Sequence, residues 1–174
     1  MLHQQLQALE TLIGPSRKAV VEEVRRHLVY RLLKTIPGLG PIRCATLIAN
    51  VGTPHRFPTK QDFWGYCGFS VRSRATANYK LVKGTPVHNP KAVRTRGLSK
   101  KRNPYLKKVF KSAALHAVAF NEDFAAFEAR HIQRGLDKNI ARVCVARKLA
   151  TIALTVWKKG EPYDPQKMRD IEAK

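Results

Sequence analysis

Between positions 63 and 121 the sequence runs for fifty-nine residues with thirteen Lys or Arg and not one Asp or Glu. A folded domain normally mixes its charge signs, because a one-signed surface repels itself and weakens the compact state unless a partner of opposite charge absorbs the field. The stretch therefore implies a polyanion. Its cations fall into two groups. Arg72, Arg74, Lys80, Lys83, Lys91, Arg94 and Arg96 lie in a loop-like region, and Lys100, Lys101, Arg102, Lys107, Lys108 and Lys111 lead into a helix, so a shaped basic surface is expected. The whole chain carries a net charge of +21. Nucleic acid is the leading partner, since regularly spaced phosphates match dispersed Lys and Arg and counterion release drives such binding. A membrane surface fits less well, because no cationic helix masses Trp and Leu on its opposite face.

With 174 residues, 44% of them hydrophobic, the chain is long enough for one domain with a modest core. No run approaches the roughly 18 apolar residues of a membrane span, and residues 1–10 lack the apolar centre of a signal peptide. Cys44, Cys67 and Cys144 are single, odd in number and far apart, which suits neither a disulfide framework nor zinc-ligand spacing. A reducing, cytoplasmic setting is expected.

Leu2, Leu6, Leu9 and Ile13 recur at helical spacing, and Gly14-Pro15 predicts a break before a second helix over 17–35, with Ser16 as its cap. Val20, Val21, Val24, Leu28, Leu32 and Leu33 lie toward one face of that helix. It reads either as a helix packed on a core or as a coiled coil, and 1–35 is taken as a helical linker or coiled-coil-like segment. The run Ile36-Pro37-Gly38-Leu39-Gly40-Pro41 then precedes an apolar helix and looks like a helix-hairpin-helix. Gly38 and Gly40 suit a tight turn and let backbone N–H groups meet a phosphate, although a purely structural turn has the same sequence.

Phe63, Trp64 and Tyr66 lie on a short helix opened by Thr59 and ended by Gly68, where helical spacing favours core over base stacking. Residues 70–98 show no sustained period and are punctuated by Gly84, Pro86, Asn89, Pro90 and Gly97, so a long basic loop or an irregular hairpin is expected. Asn103-Pro104 is a cap followed by a first-turn proline. The helix it opens has an apolar stripe on which His116 reads as a buried core residue. Two more helices follow, over 122–134 and 138–158, the second capped by Asp137 and packed through Ile140, Val143, Cys144, Ile152 and Val156. Residues 159–174 read as a polar, poorly ordered tail. The fold class is all-α. No His, Asp or Glu pairing with metal or triad spacing stands out, so no metal ligands are assigned.

The blocks IPGLGP, RFPTKQDFWGYCGF, GLSKKRNPYLKK and NEDFAAFEARHIQRGLDKNIARVCVARKL, in that order, resemble the C-terminal domain of DEDD-type insertion-sequence transposases related to the Piv DNA invertases. These are the bridge-RNA-guided recombinases of the insertion-sequence one-ten family. The resemblance implies a helical DNA-binding domain over 36–158 that acts in DNA transposition and recombination. It also implies a nucleophilic serine, a RuvC-like partner domain holding Mg on four acidic residues, and a guide RNA. Glu10, Glu22 and Glu23 are the only acids before Asp62, so the metal-binding tetrad is not expected here and the chain alone is expected to be inactive. The family's serine-glycine position falls on Thr76, followed by Ala77, with Ser73 three residues earlier. Thr adds a methyl that stiffens χ1 and crowds attack on phosphorus. Homo-oligomerisation is open. A different class remains as well, a non-catalytic DNA- or RNA-binding helix-hairpin-helix module.

Overall fold

The computed structural model describes residues 1–75, 79–88 and 93–166. Seven helices occur among them in the order α1 (Leu2–Arg25), α2 (Leu28–Leu33), α3 (Pro41–Val51), α4 (Lys60–Cys67), α5 (Pro104–Phe120), α6 (Glu122–Gln133) and α7 (Lys138–Lys159). Between α4 and α5 come four short strands, β1 (Val71–Ala75), β2 (Tyr79–Val82), β3 (Thr85–His88) and β4 (Val93–Leu98). Helix dominates the described residues, as an all-α domain should show. Among the described residues no helix is long and apolar enough to cross a membrane.

Local chemistry sets most of the helix ends. Thr59 and Asp62 form a reciprocal capping box at the start of α4, and Asn103, Asn121 and Asp137 each accept a backbone N–H in the first turn of the helix that follows. Gly68 closes α4 in the left-handed conformation. The break expected at Gly14-Pro15 is absent, and α1 runs through it to Arg25. Pro15 costs the helix a hydrogen bond and crowds the carbonyl four residues back, but Gly14 lacks the Cβ that the proline ring would also meet, which lowers the local cost. The interruption falls instead at Arg26 and His27.

Helix α7 is central, touching α2, α4, α5 and α6. Its buried face is Ala141, Val145, Ala146, Leu149, Ala150, Ala153, Leu154 and Val156, whereas Ile140 is 55% exposed. Of the five positions expected to pack α7, only Val156 is fully buried, because small alanines are what let several helices approach one axis. Around it Phe63, Phe69, Phe110 and Phe124 are fully buried, and Phe110 meets both Phe63 and Phe69 edge-on, with centroids 5.9 and 6.4 Å apart. Each ring contributes roughly 1.5–3 kcal/mol by burial. Tyr30 and Leu33 of α2 join the same core, while Leu2, Leu6, Leu9 and Ile13 of α1 are exposed. His116 is not buried as expected. It is exposed and stacks on Phe120, centroids 4.5 Å apart, because it sits beside the buried stripe of α5 and not within it. The polar tail is held at its start, where the Tyr163 N–H donates to Thr35 Oγ1 at 2.8 Å. Residues 167–174 lie outside the described residues.

Candidate nucleic-acid interface

The basic segment is paired strand, in keeping with the irregular hairpin and not the long loop of the two forms expected. β1 pairs antiparallel with β4, Ser73 opposite Thr95 and Arg74 opposite Arg94, with a bulge between Val71 and Ser73. Inside that pair β2 runs antiparallel to β3 in the register Tyr79–His88 to Val82–Thr85. The β2–β3 pair is nested in sequence between β1 and β4, and the four strands are together called the arm. Its tip is Lys83-Gly84, both at positive φ (51° and 81°), the two-residue turn whose twist suits a tight hairpin. Side chains from Leu81 to Val87 are all exposed. With neither face of the inner ribbon buried, no apolar alternation is imposed on its sequence, which is why the pattern also admitted a loop.

Helical contacts fix the base of the arm. The Arg147 guanidinium of α7 donates to the Phe69 carbonyl through Nε at 2.8 Å and through its terminal nitrogen at 2.5 Å, and Ser99 N–H closes the arm onto Ser70 O at 3.0 Å. Asn103 ties the returning chain down. Its N–H donates to Tyr66 O at 2.8 Å, and its side-chain amide donates to Asn50 Oδ1 at 2.8 Å and lies 3.4 Å from the Tyr66 hydroxyl. Arg147 and Asn50 escaped the sequence reading, and Tyr66 was read only as an aromatic of its helix, because their partners lie 78, 53 and 37 positions away.

The predicted cations distribute as follows. Arg72 and Arg74 lie on β1, Lys80 on β2, Lys83 at the tip, and Arg94 and Arg96 on β4. Arg74 and Arg94 are opposed in the register of the β1–β4 pair. Lys91 lies outside the described residues. Lys100 and Lys101 are exposed in the segment returning from the arm. Arg102 is exposed too, but its aliphatic stem lies over Gly68, where a Cβ would meet Cβ and Cγ of Arg102 at 2.8 and 3.1 Å. Lys107, Lys108 and Lys111 follow on α5. Partial burial and the nearby charges of Arg102 and Lys111 hold the Lys107 ammonium below its ordinary pKa of 10.5. Like charges are thus crowded here. The ion pairs Arg26–Glu23 and Arg142–Glu128 both lie outside the 63–121 stretch. Asp62, at its edge, serves the cap of α4, and the Thr59 hydrogen bonds hold its carboxyl below the usual value.

The 34–40 turn packs against α5 at Ala113. Gly38 has φ of 82°, and a Cβ on it would lie 2.4 Å from the Ala113 carbonyl oxygen, so close backbone packing requires glycine. Arg43, another residue the sequence reading passed over, braces the turn by donating to Gly38 O at 2.8 Å and to Ser112 Oγ at 2.9 Å. Gly40 differs. It is the N-cap of α3 in extended conformation with no side-chain cap, and the space around its absent Cβ is open. No side chain therefore caps the first-turn N–H groups of α3, where a helix end favours an anion.

Of the two candidate nucleophiles, Ser73 lies on β1 and Thr76 lies outside the described residues. Among the described residues no three His, Cys, Asp or Glu side chains converge as metal ligands.

Over residues 30–129, from α2 through the arm and α5 into α6, the sequence matches the transposase IS116/IS110/IS902 family. The chain belongs to that family. It is also 26% identical over 140 residues to the pilin gene-inverting protein of Moraxella lacunata, a match covering 79% of this chain and 40% of that protein. The pilin gene-inverting protein of Moraxella bovis is 25% identical over 133 residues, covering 76% and 38%. The chain spans about two fifths of the length of these relatives. Everything that makes up the candidate interface, from the 34–40 turn to Lys111, lies within the family match.

Proposed function

We propose that this transposase-family chain is a DNA-gripping part of an insertion-sequence transposase or site-specific recombinase. In this reading the arm and the first turns of α5 track the phosphate backbone, and α2, the 34–40 turn and α3 act as a helix-hairpin-helix that offers N–H groups to a further phosphate. One observation carries the reading: residues 63–121 hold thirteen Lys or Arg and no carboxylate, with Lys100, Lys101, Arg102 and Lys111 all exposed. An anion offsets that charge, and DNA supplies anions at the needed spacing.

Strand exchange then needs a nucleophile and metal-held charge stabilisation. The hydroxyl oxygen of Thr76 or Ser73 forms a new bond to phosphorus, its proton passes to a base, and the deoxyribose oxygen leaves as the P–O bond of the DNA strand breaks. The carboxylates that hold Mg come from a RuvC-like domain, and a guide RNA selects the target. Thr-Ala at 76–77, in place of serine-glycine, favours a second reading, a non-catalytic DNA- or RNA-binding module.

Mixing the chain with the acidic domain of a relative, Mg²⁺ and a nicked or junction DNA tests both. A covalent protein–DNA adduct that disappears only in Thr76→Ala assigns the nucleophile to Thr76, and loss only in Ser73→Ala assigns it to Ser73. DNA binding without an adduct selects the non-catalytic module. Failure to bind DNA at low salt sinks both readings.

A further inference from the structure

A second concave surface lies between α4, α6 and α7, walled on one side by residues 161–164, with a volume of about 590 Å³. Small-ligand sites fall in this size range and combine an apolar body with a few polar anchors. Here the floor is Trp64, Phe127 and Ile152, all partly buried, and the rim carries Lys60, Arg134 and Lys148. In all, five Lys or Arg side chains line the groove against two carboxylates, Glu161 and Asp164, both on the tail wall. A ligand with a flat apolar body and one negative end matches this layout, its charge directed away from the tail.

The aromatic surfaces are fixed in place. The indole N–H of Trp64 donates to Arg147 O at 3.1 Å and to Thr151 Oγ1 at 3.0 Å, which sets the ring's orientation. Phe127 lies against His131, centroids 4.4 Å apart. A cation accompanies each ring, with Lys60 Nζ 5.8 Å from the Trp64 centroid and Lys148 Nζ 5.8 Å from that of Phe127. Aromatic platforms beside cations are how proteins hold single-stranded nucleic acid, because every unstacked base offers a π-face and carries a phosphate. Duplex DNA hides those faces. Arg147 joins the groove to the base of the arm through the Phe69 carbonyl, so a strand leaving the arm has a short route to it.

We propose that this groove holds one unstacked nucleotide of a single-stranded segment, its base on the Trp64 and Phe127 surface and its phosphate at the rim of Lys60, Arg134 and Lys148. The inference rests on the nucleic-acid reading above but concerns a different surface.

Cys144 lines the groove and provides the probe. It is partly exposed, whereas Cys44 and Cys67 are fully buried and burial raises both thiol pKa values, that of Cys44 to about 11. N-ethylmaleimide should therefore label Cys144 first. Labelling is followed with an oligothymidylate of about eight nucleotides, within the usual span of single-strand sites, and with a duplex of equal length, while a mobility shift reports binding. The oligothymidylate is expected to slow Cys144 labelling, and the duplex to bind without slowing it. Arg134→Glu combined with Lys148→Glu should remove the protection and weaken single-strand binding about tenfold or more, the scale of one stacked base. Its melting temperature and duplex binding should stay unchanged. Oligothymidylate binding that leaves Cys144 labelling unaltered overturns the proposal, as does equal protection by duplex. Protection that grows with protein concentration alone assigns the groove to a second copy and overturns it as well. If neither DNA binds, the DNA-gripping reading falls together with this one.

Discussion

Gly38 and Gly40 read alike in sequence but should respond differently to a single added methyl. At Gly38 the backbone is left-handed, with φ of 82°, and the new Cβ lies 2.4 Å from the Ala113 carbonyl oxygen, a backbone atom that moves only if α5 moves. Holding an L-residue in that region costs about 1–2 kcal/mol, and crowding a packed core costs about 1–3 kcal/mol. Gly38→Ala should therefore lose about 2–5 kcal/mol. For a protein of this size about 1 kcal/mol moves Tm by roughly 2–4 °C, so the expected fall is about 4–20 °C. Gly40→Ala meets open space in an ordinary extended conformation and should cost at most about 1 kcal/mol, from the weaker N-cap. The assay is thermal denaturation by circular dichroism, alongside duplex-DNA binding measured well below both transitions. Gly40→Val should keep most of its Tm yet bind less tightly, because its side chain stands before the first N–H groups of α3. Equal Tm values for Gly38→Ala and Gly40→Ala would refute the packing account of the turn. Full binding by Gly40→Val would refute the phosphate account.

The remaining expectations concern the cations. Lys100→Ala with Lys101→Ala should lower the slope of log affinity against log salt by about 1.8, roughly 0.9 per phosphate contact on duplex DNA, and an unchanged slope would show that these exposed side chains only solvate the surface. Lys107 is held below 10.5 by burial, Arg102 and Lys111, so its charge opposes folding at neutral pH and that opposition fades as pH rises through the lowered value. Bound phosphate favours the charged form. DNA binding should therefore take up protons around that lowered value, and affinity should fall as pH rises through it. Lys107→Arg, which stays charged, should bind with a flatter pH profile in fluorescence anisotropy, and an identical profile would remove Lys107 from the interface.

How far the sequence could be read depends on the range of the interactions involved. Thr59, Asn103, Asn121 and Asp137 satisfy N–H groups two or three residues away, so their helix starts were legible in a short window. The fate of Gly14-Pro15 was not, because a breaker signal is a local cost that a missing Cβ reduces. Helix α7 concealed its core for another reason: its buried positions are largely alanine, which hydrophobic pattern reading passes over in favour of Ile140 and Val143. The site divides along the same line. Its charge was visible in composition alone, whereas the residues that aim it, Arg43, Asn50, Tyr66 and Arg147, act on partners whose proximity exists only in the fold.

That division has a mechanical consequence. An isolated two-stranded ribbon is marginal by itself, so the contacts at the base of the arm matter to it. One strand enters from Phe69, whose carbonyl is held by Arg147 of α7. The other leaves through Ser99 to Asn103, whose side chain also caps α5 and reaches Asn50 of α3. The same few groups thus couple the arm to α3, α5 and α7, the helices that carry the open N-terminus, Lys107 and Lys111, and the walls of the groove. Phosphate bound at one of these places restrains the others through the shared base, so contacts on the arm and on the helical body are coupled and their energies should not simply add.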